Sequence, residues 1–269
     1  IWGYGGVLTF GHAVFFGLGG YVMAALLQSS LPSAVGVLGF PLAAVVAGVA
    51  AFALAAPLFS REITGEYFAI ITLVLAVIAK QAAISLGGIT GGYSGITGLP
   101  AVDVGGLRLL GPAMYYLVIA TTVACYFLSR RVVGGTFGTA AIAIRENEAK
   151  ARALGYDTTR YKTLLFAITG ALAGLSGAFF TTYSGFVTPE LLGFILSTEV
   201  LIWVLVGGRG TIVGAVVGTV FLTLFKNFMS DLFSSWILLL GVVLVVIVVA
   251  FPGGFVGVAR DLLSEGRGE

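Results

Sequence analysis

The chain has 269 residues, of which 58% are hydrophobic and only 10% charged, with a formal net charge of +2. A soluble globular domain carries roughly 25% charged residues, so this composition excludes a water-soluble enzyme and indicates a polytopic membrane protein. The 40 glycines suit helices that approach closely or break around a cavity, and a single cysteine, Cys125, rules out an intramolecular disulfide.

No cleavable signal peptide is visible, and Ile1 opens directly in apolar sequence. We therefore expect further N-terminal membrane sequence ahead of it. Hydropathy predicts an all-α membrane bundle of about eight spans, forming one transmembrane domain over residues 1–269. The spans are Gly6–Leu27, Phe40–Phe59, Tyr67–Leu86, Ala113–Leu128, Leu164–Ser184, Phe194–Val206, Ile212–Met229 and Ser235–Phe251. The sixth is short for a hydrocarbon core that needs about 20 helical residues, so it is tilted, broken or longer than drawn.

In the first span, the glycine pattern from Thr9 to Gly20 predicts a tightly packed or interrupted helix. His12 within it has two readings, a structural donor across a helix interface or a contact with solute. Between the third and fourth spans, Gly87–Pro112 begins with six glycines in twelve residues, which excludes a stable helix there. Its hydroxyls, Thr90, Ser94 and Thr97, line a polar path if the segment re-enters the membrane, and are merely solvated if it is an external loop.

The stretch Arg130–Lys162 carries seven of the fourteen Lys and Arg residues and is expected on the cytoplasmic face. Counting spans outward from it puts eleven of the fourteen on that side, together with both ends of the chain. The stretch contains a predicted helix, Ala140–Leu154, closed by Gly155. Ile142, Arg145, Ala149 and Arg152 share one face of it; Ile144, Glu148, Ala151 and Gly155 share another. Small residues with acids and bases at the rim, Glu146 among them, suit docking to a soluble partner. The alternative is a helix lying on anionic lipid, against which the mixed charge and weak apolarity argue. Beyond it, Gly170, Gly174 and Gly177 faintly echo the first span.

Three charges interrupt apolar segments: Lys80, Glu199 and Lys226. Charges inside a membrane are costly and tend to pair. Glu199 with Lys80 or Lys226 either lines or gates a path or forms a structural pair, and the lysines have the further option of snorkelling to the interface. No catalytic constellation is present. One histidine and one cysteine make no metal site, and no phosphate-binding loop of the G-x-x-x-x-G-K-[ST] kind occurs. Any ATP that drives this chain is bound by another subunit.

Several landmarks stand in one order: Phe10–Tyr21, Tyr67–Leu73, Thr90–Pro100, Ala141–Ala149 continuing to Leu154-Gly155, and Val206–Gly214. On these the chain resembles the LivM-type permeases of ABC importers, which handle branched-chain amino acids, with close relatives that import urea and short amides. The resemblance implies an inner-membrane transport subunit of a prokaryote, not an enzyme, with no cofactor of its own. It implies two ATPase subunits carrying ATP and Mg, a LivH-like sister permease and an extracytoplasmic solute-binding protein, and no nucleic-acid partner. It also implies that Arg145–Gly155 contains the segment that couples to the ATPase. Ile1–Tyr4 and Glu199–Trp203 look more like the urea and amide branch, which adds Trp203 to the pathway candidates. The rival is a channel or ion-coupled carrier working without an ATPase, with Glu199 and the intramembrane lysines as its ion site.

Overall fold

The computed structural model describes residues 1–29, 36–104, 107–109, 111–208 and 210–232. The described chain is predominantly helical and divides at Ser197/Thr198 into two units. Among the described residues, four helices are long and apolar enough to cross a membrane: α3 (Gly36–Ser60), α4 (Gly65–Ser85), α6 (Pro112–Gly134) and α9 (Thr158–Ser184). A fifth candidate is a bent pair, α10 (Phe194–Gly207) and α11 (Ile212–Leu232), and α2 (His12–Gln28) is a shorter apolar helix. The expected span Ser235–Phe251 lies outside the described residues, so the structure does not establish eight spans.

The first expected span is corrected. After a short helix α1 (Trp2–Gly5), the chain from Gly6 to Gly11 is not helical, and α2 starts only at His12. Side chains satisfy the amide groups around this start. Thr72 accepts from Phe10 N at 3.1 Å, Thr9 from Gly11 N at 3.1 Å and Ser197 from Ala13 N at 3.1 Å. A helix that begins inside protein needs such partners for its orphan donors.

The first unit is built on α2, α3 and α9. On α3, Ala43, Ala47, Ala51 and Ala55 recur every fourth residue and are fully buried, forming a small-residue stripe along one face. Gly170 and Gly174 of α9 lie against it: a β-carbon at Gly170 would overlap that of Ala51, and one at Gly174 that of Ala47. On the other side, α9 meets α2 so closely that a β-carbon at Gly19 would strike the Gly174 carbonyl, and one at Gly177 the Phe16 carbonyl. The two glycine-rich spans therefore pack on each other. Close backbone approach replaces the hydrophobic effect as the source of helix association in lipid.

Two apolar clusters sit along this scaffold. One gathers Phe15, Phe59, Phe68 and Phe166, with Phe59 stacked on Phe68 at 4.7 Å and Phe166 edge-on to Phe68 at 5.5 Å. The other gathers Met23, Leu27, Phe40, Val102 and Met114. They mark the two ends of the unit. At one, β1 (Ile96–Thr97) pairs antiparallel with β4 (Phe186–Val187), and Leu99 N donates to Gly185 O at 3.0 Å. At the other, Thr159 Oγ1 donates to Phe59 O at 3.4 Å. After α4 the described residues form a single helical turn α5 (Gly87–Thr90), where the six glycines led us to expect no helix, then a 3-10 turn at Gly92–Ser94 and a small hairpin of β2 (Asp103–Val104) and β3 (Leu107–Arg108).

In the second unit, Gly207 and Gly218 allow α10 and α11 to touch: a β-carbon at Gly218 would overlap the Trp203 carbonyl. Ile202, Val206 and Leu222 form its cluster, with Trp203 packed against it.

Candidate functional site

The single helix expected over Ala140–Leu154 is two helices, α7 (Thr136–Glu146) and α8 (Glu148–Ala153). Asn147 breaks them with extended backbone at φ −157° and ψ 97°. Its Oδ1 accepts from Lys150 N at 2.9 Å, so the asparagine caps α8 instead of continuing α7. The cap, with Glu148 in the first turn and Lys150 and Arg152 in the last, matches charge to the helix ends. Gly155, at φ +91°, reverses the chain into α9, whose start Asp157 caps by accepting from Arg160 N at 3.0 Å.

The hairpin has an inner and an outer side. Ile144 and Ala151 are buried and Glu148 is half-buried, while Arg145, Glu146, Ala149, Arg152 and Gly155 are exposed and Ile142 is intermediate. Leu154 projects at the tip with 73% of its surface exposed.

Four charges fasten this hairpin to the membrane helices. Lys162, on the first turns of α9 and only 7% exposed, donates from Nζ to Glu148 Oε2 at 2.5 Å. Its ammonium also lies 5.9 Å from the Phe59 ring centroid. Arg152 reaches Glu148 at 3.4 Å and donates to Glu62 in the turn between α3 and α4. Burial opposes ionisation of Glu148, but the hydrogen bond and charge of Lys162, with Thr158 and Arg152, hold its carboxyl below the ordinary value. The hydrogen bond and charge of Glu62 raise the Arg152 guanidinium. On α7, Arg145 Nε donates to Glu146 Oε1 at 3.0 Å, and its guanidinium also donates to the Gly3 carbonyl.

The remaining sequence candidates are scattered. His12 is hydrogen-bonded through Nε2 to Thr169 Oγ1 at 3.0 Å and lies edge-on to Phe166 at 5.3 Å, between α2 and α9. Thr90 Oγ1 donates to the carbonyls of Ala83 and Leu86, closing the end of α4. Ser94 and Thr97 are exposed in the connection beside β4. Lys226 Nζ donates to Glu199 Oε1 at 2.9 Å between α11 and α10. Lys80 takes a partner the sequence did not suggest, Glu190, at 2.7 Å, in the turn after β4. Glu190 lies outside the apolar segments in which an intramembrane charge stands out, so its pairing with Lys80 has no signal in the sequence. Glu62 is equally inconspicuous, its sole signal being an acid beside Arg61 in a short turn.

The chain matches the family described as branched-chain amino acid transport system / permease component over residues 1–250. It belongs to that family. The permease is 30% identical over 295 residues to the high-affinity branched-chain amino acid transport system permease protein LivM of Salmonella typhimurium, covering 99% of this chain and 68% of that protein. Against LivM of Escherichia coli it is 29% identical over 294 residues, 99% of this chain and 67% of that one. A shorter match, 36% identical over 124 residues, links the permease to the autoinducer 2 import system permease protein LsrC of an Enterobacter species, covering 44% of this chain and 34% of LsrC. No solved structure matches significantly.

Proposed function

We propose that this permease is one membrane subunit of an ATP-binding-cassette importer in a prokaryotic inner membrane, and that it moves branched-chain amino acids inward. Membership of the family supports the importer, and its similarity to branched-chain amino acid permeases of the LivM type favours that substrate over urea or a short amide. The observation that carries the mechanism is the exposed α7–α8 hairpin, tied by Glu148, Lys162, Arg152 and Glu62 to the ends of α9 and α3.

The proposed cycle follows from that attachment. Residues 1–269 act as one permease domain of about eight spans, paired with a sister permease. The hairpin lies in the cytoplasm, as do both ends of the chain, and docks through Arg145, Glu146, Ala149 and Leu154 onto one of two ATPase subunits, which bind ATP and Mg. A loaded binding protein docks at the opposite end, on the β1–β4 ribbon. ATP binding closes the ATPase pair, the hairpin moves with it, and a cavity between the two permeases opens outward. Hydrolysis resets the arrangement. The hairpin must bind the two nucleotide states with different affinity, because equal affinity would shift nothing.

The test is uptake of labelled leucine and of labelled urea by the complex reconstituted with its binding protein. Leucine uptake that needs ATP upholds the proposal, and urea uptake alone moves the chain to the amide branch. Uptake by this chain without any ATPase would overturn the importer reading in favour of a carrier.

A further inference from the structure

The chain of charges Glu62–Arg152–Glu148–Lys162 has a layout that docking alone does not require. It runs inward from the surface. Glu62 and Arg152 have side chains 68% and 48% exposed, Glu148 is 30% exposed, and Lys162 is 8% exposed. An exposed ion pair holds little by itself. A buried cation with one carboxylate partner is different, because removing the carboxylate leaves the cation with no water to stabilise it. Lys162 is such a cation, and Glu148 is the carboxylate it donates to. Lys162 also sits on α9, whose Gly170, Gly174 and Gly177 bring it into backbone contact with α2 and the alanine stripe of α3. Whatever moves Glu148 therefore pulls on the helix at the centre of the first unit.

The second anchor is Glu62. It is the one non-glycine residue with positive φ, +60°, among the described residues. L-residues avoid that region, so the turn holds a disfavoured backbone while its carboxylate receives Arg152. The hairpin is thus gripped from two helices, by Lys162 on α9 and by the turn that ends α3.

We propose that Lys162 and Glu62 are positioning residues that make the α7–α8 hairpin a rigid lever on α9 and α3, so that movement of a docked partner is transmitted to the membrane helices instead of being absorbed at the hairpin. This rests on the importer reading for the identity of the partner. Neither residue touches the partner in this scheme; both act through Glu148 and Arg152.

The experiment uses the assembled importer, with its ATPases and binding protein, in proteoliposomes. The readout is solute moved per ATP hydrolysed, which a purely structural role would leave unchanged in correctly assembled complex. Lys162→Met is expected to lower this ratio about tenfold while ATP hydrolysis persists, in line with coupling energies that typically correspond to roughly 5–150-fold. Lys162→Arg, which keeps the cation, is expected to retain the ratio. Because Lys162 and Glu148 form one link, Lys162→Met combined with Glu148→Gln is expected to lose no more than either alone. Glu62→Gln, at an exposed site where folding is tolerant, is expected to lower the ratio about threefold. It decides the matter if Lys162→Met does not assemble. A ratio unchanged in Lys162→Met, or losses that multiply in the double variant, overturns the lever.

A spin label at Ala153→Cys, in a Cys125→Ser background, reads hairpin mobility without transport. Sharper spectral lines in Lys162→Met than in Lys162→Arg support the lever; identical lines overturn it. If the wild-type complex shows no ATP-dependent uptake, the importer reading fails, and the label still decides whether the hairpin is held as proposed.

Discussion

The contact between Gly170 and Ala51 offers the sharpest test of the packing. Gly170→Ala would place a β-carbon on top of that of Ala51. Ordinary carbon–carbon contact is about 3.5–4.0 Å, so α9 and α3 would have to separate by on the order of 1 Å. The other neighbours of the added carbon, the Ala47 carbonyl at 3.5 Å and Phe15 at 3.6 Å, are at normal distance. The clash is therefore confined to one methyl group. Overpacking of this kind costs about 1–3 kcal/mol, and at roughly 2–4 °C per kcal/mol for a chain of this size melting in nanodiscs should fall by several degrees. Adding Ala51→Gly removes that methyl and exchanges the two residues between the helices. The helix-propensity cost at position 51, about 0.5–1 kcal/mol, is matched by the gain at 170, so the double variant should melt near the wild type. Gly19→Ala should have no such rescue, because its obstacle is the backbone of Gly174. Differential scanning fluorimetry on the four proteins decides the point. A double variant as unstable as Gly170→Ala, or a single variant within about 1 °C of wild type, would refute the packing argument.

Three further outcomes follow from the charges and the hairpin tip. The folded-state pKa of Glu148 is depressed, so its stabilisation is present above the ordinary carboxylate value of about 4.3 and is lost as pH falls through the folded value. Melting curves of wild type and Glu148→Gln should differ at neutral pH and converge in acid. Lys226→Met strands the Glu199 carboxylate, only 20% exposed, and should destabilise by about 3–5 kcal/mol, whereas Lys226→Met with Glu199→Leu should be close to neutral; chemical denaturation of the reconstituted chain measures both. Leu154→Ala, at a tip 73% exposed, should leave melting unchanged and weaken capture of the ATPase about tenfold in a pull-down titration.

Much of this arrangement was legible in the sequence, for identifiable reasons. Long apolar runs marked α3, α4, α6 and α9 because a membrane helix needs its apolar length in one piece. The start of α2 is hidden in the sequence because Gly6–Gly11 is apolar enough to read as helix, and only the hydroxyls of Thr72 and Thr9 show that its backbone bonds elsewhere. The break at Asn147 did leave a signal. An asparagine followed by Glu148, with basic residues to close the turn, is the start of a helix and not its middle. Of the face expected to hold Ile144, Glu148, Ala151 and Gly155, Ile144 and Ala151 are buried and Glu148 is half-buried, whereas Gly155 lies past the end of α8 and is exposed. The pairings Lys162–Glu148, Lys80–Glu190 and Arg152–Glu62 were out of reach, because each depends on how the helix ends meet in space.

The glycine contact between α2 and α9 has a consequence for how the chain is made. Gly19 and its neighbour Gly174 are separated by about 150 residues of sequence. At about 5–20 residues per second of synthesis, α2 enters the bilayer roughly 8–30 s before the surface it is shaped to fit. During that interval its flat glycine face has only lipid, or a transient helper, to lie against. Lengthening the loops between them would prolong the exposure without altering a single contact in the finished protein.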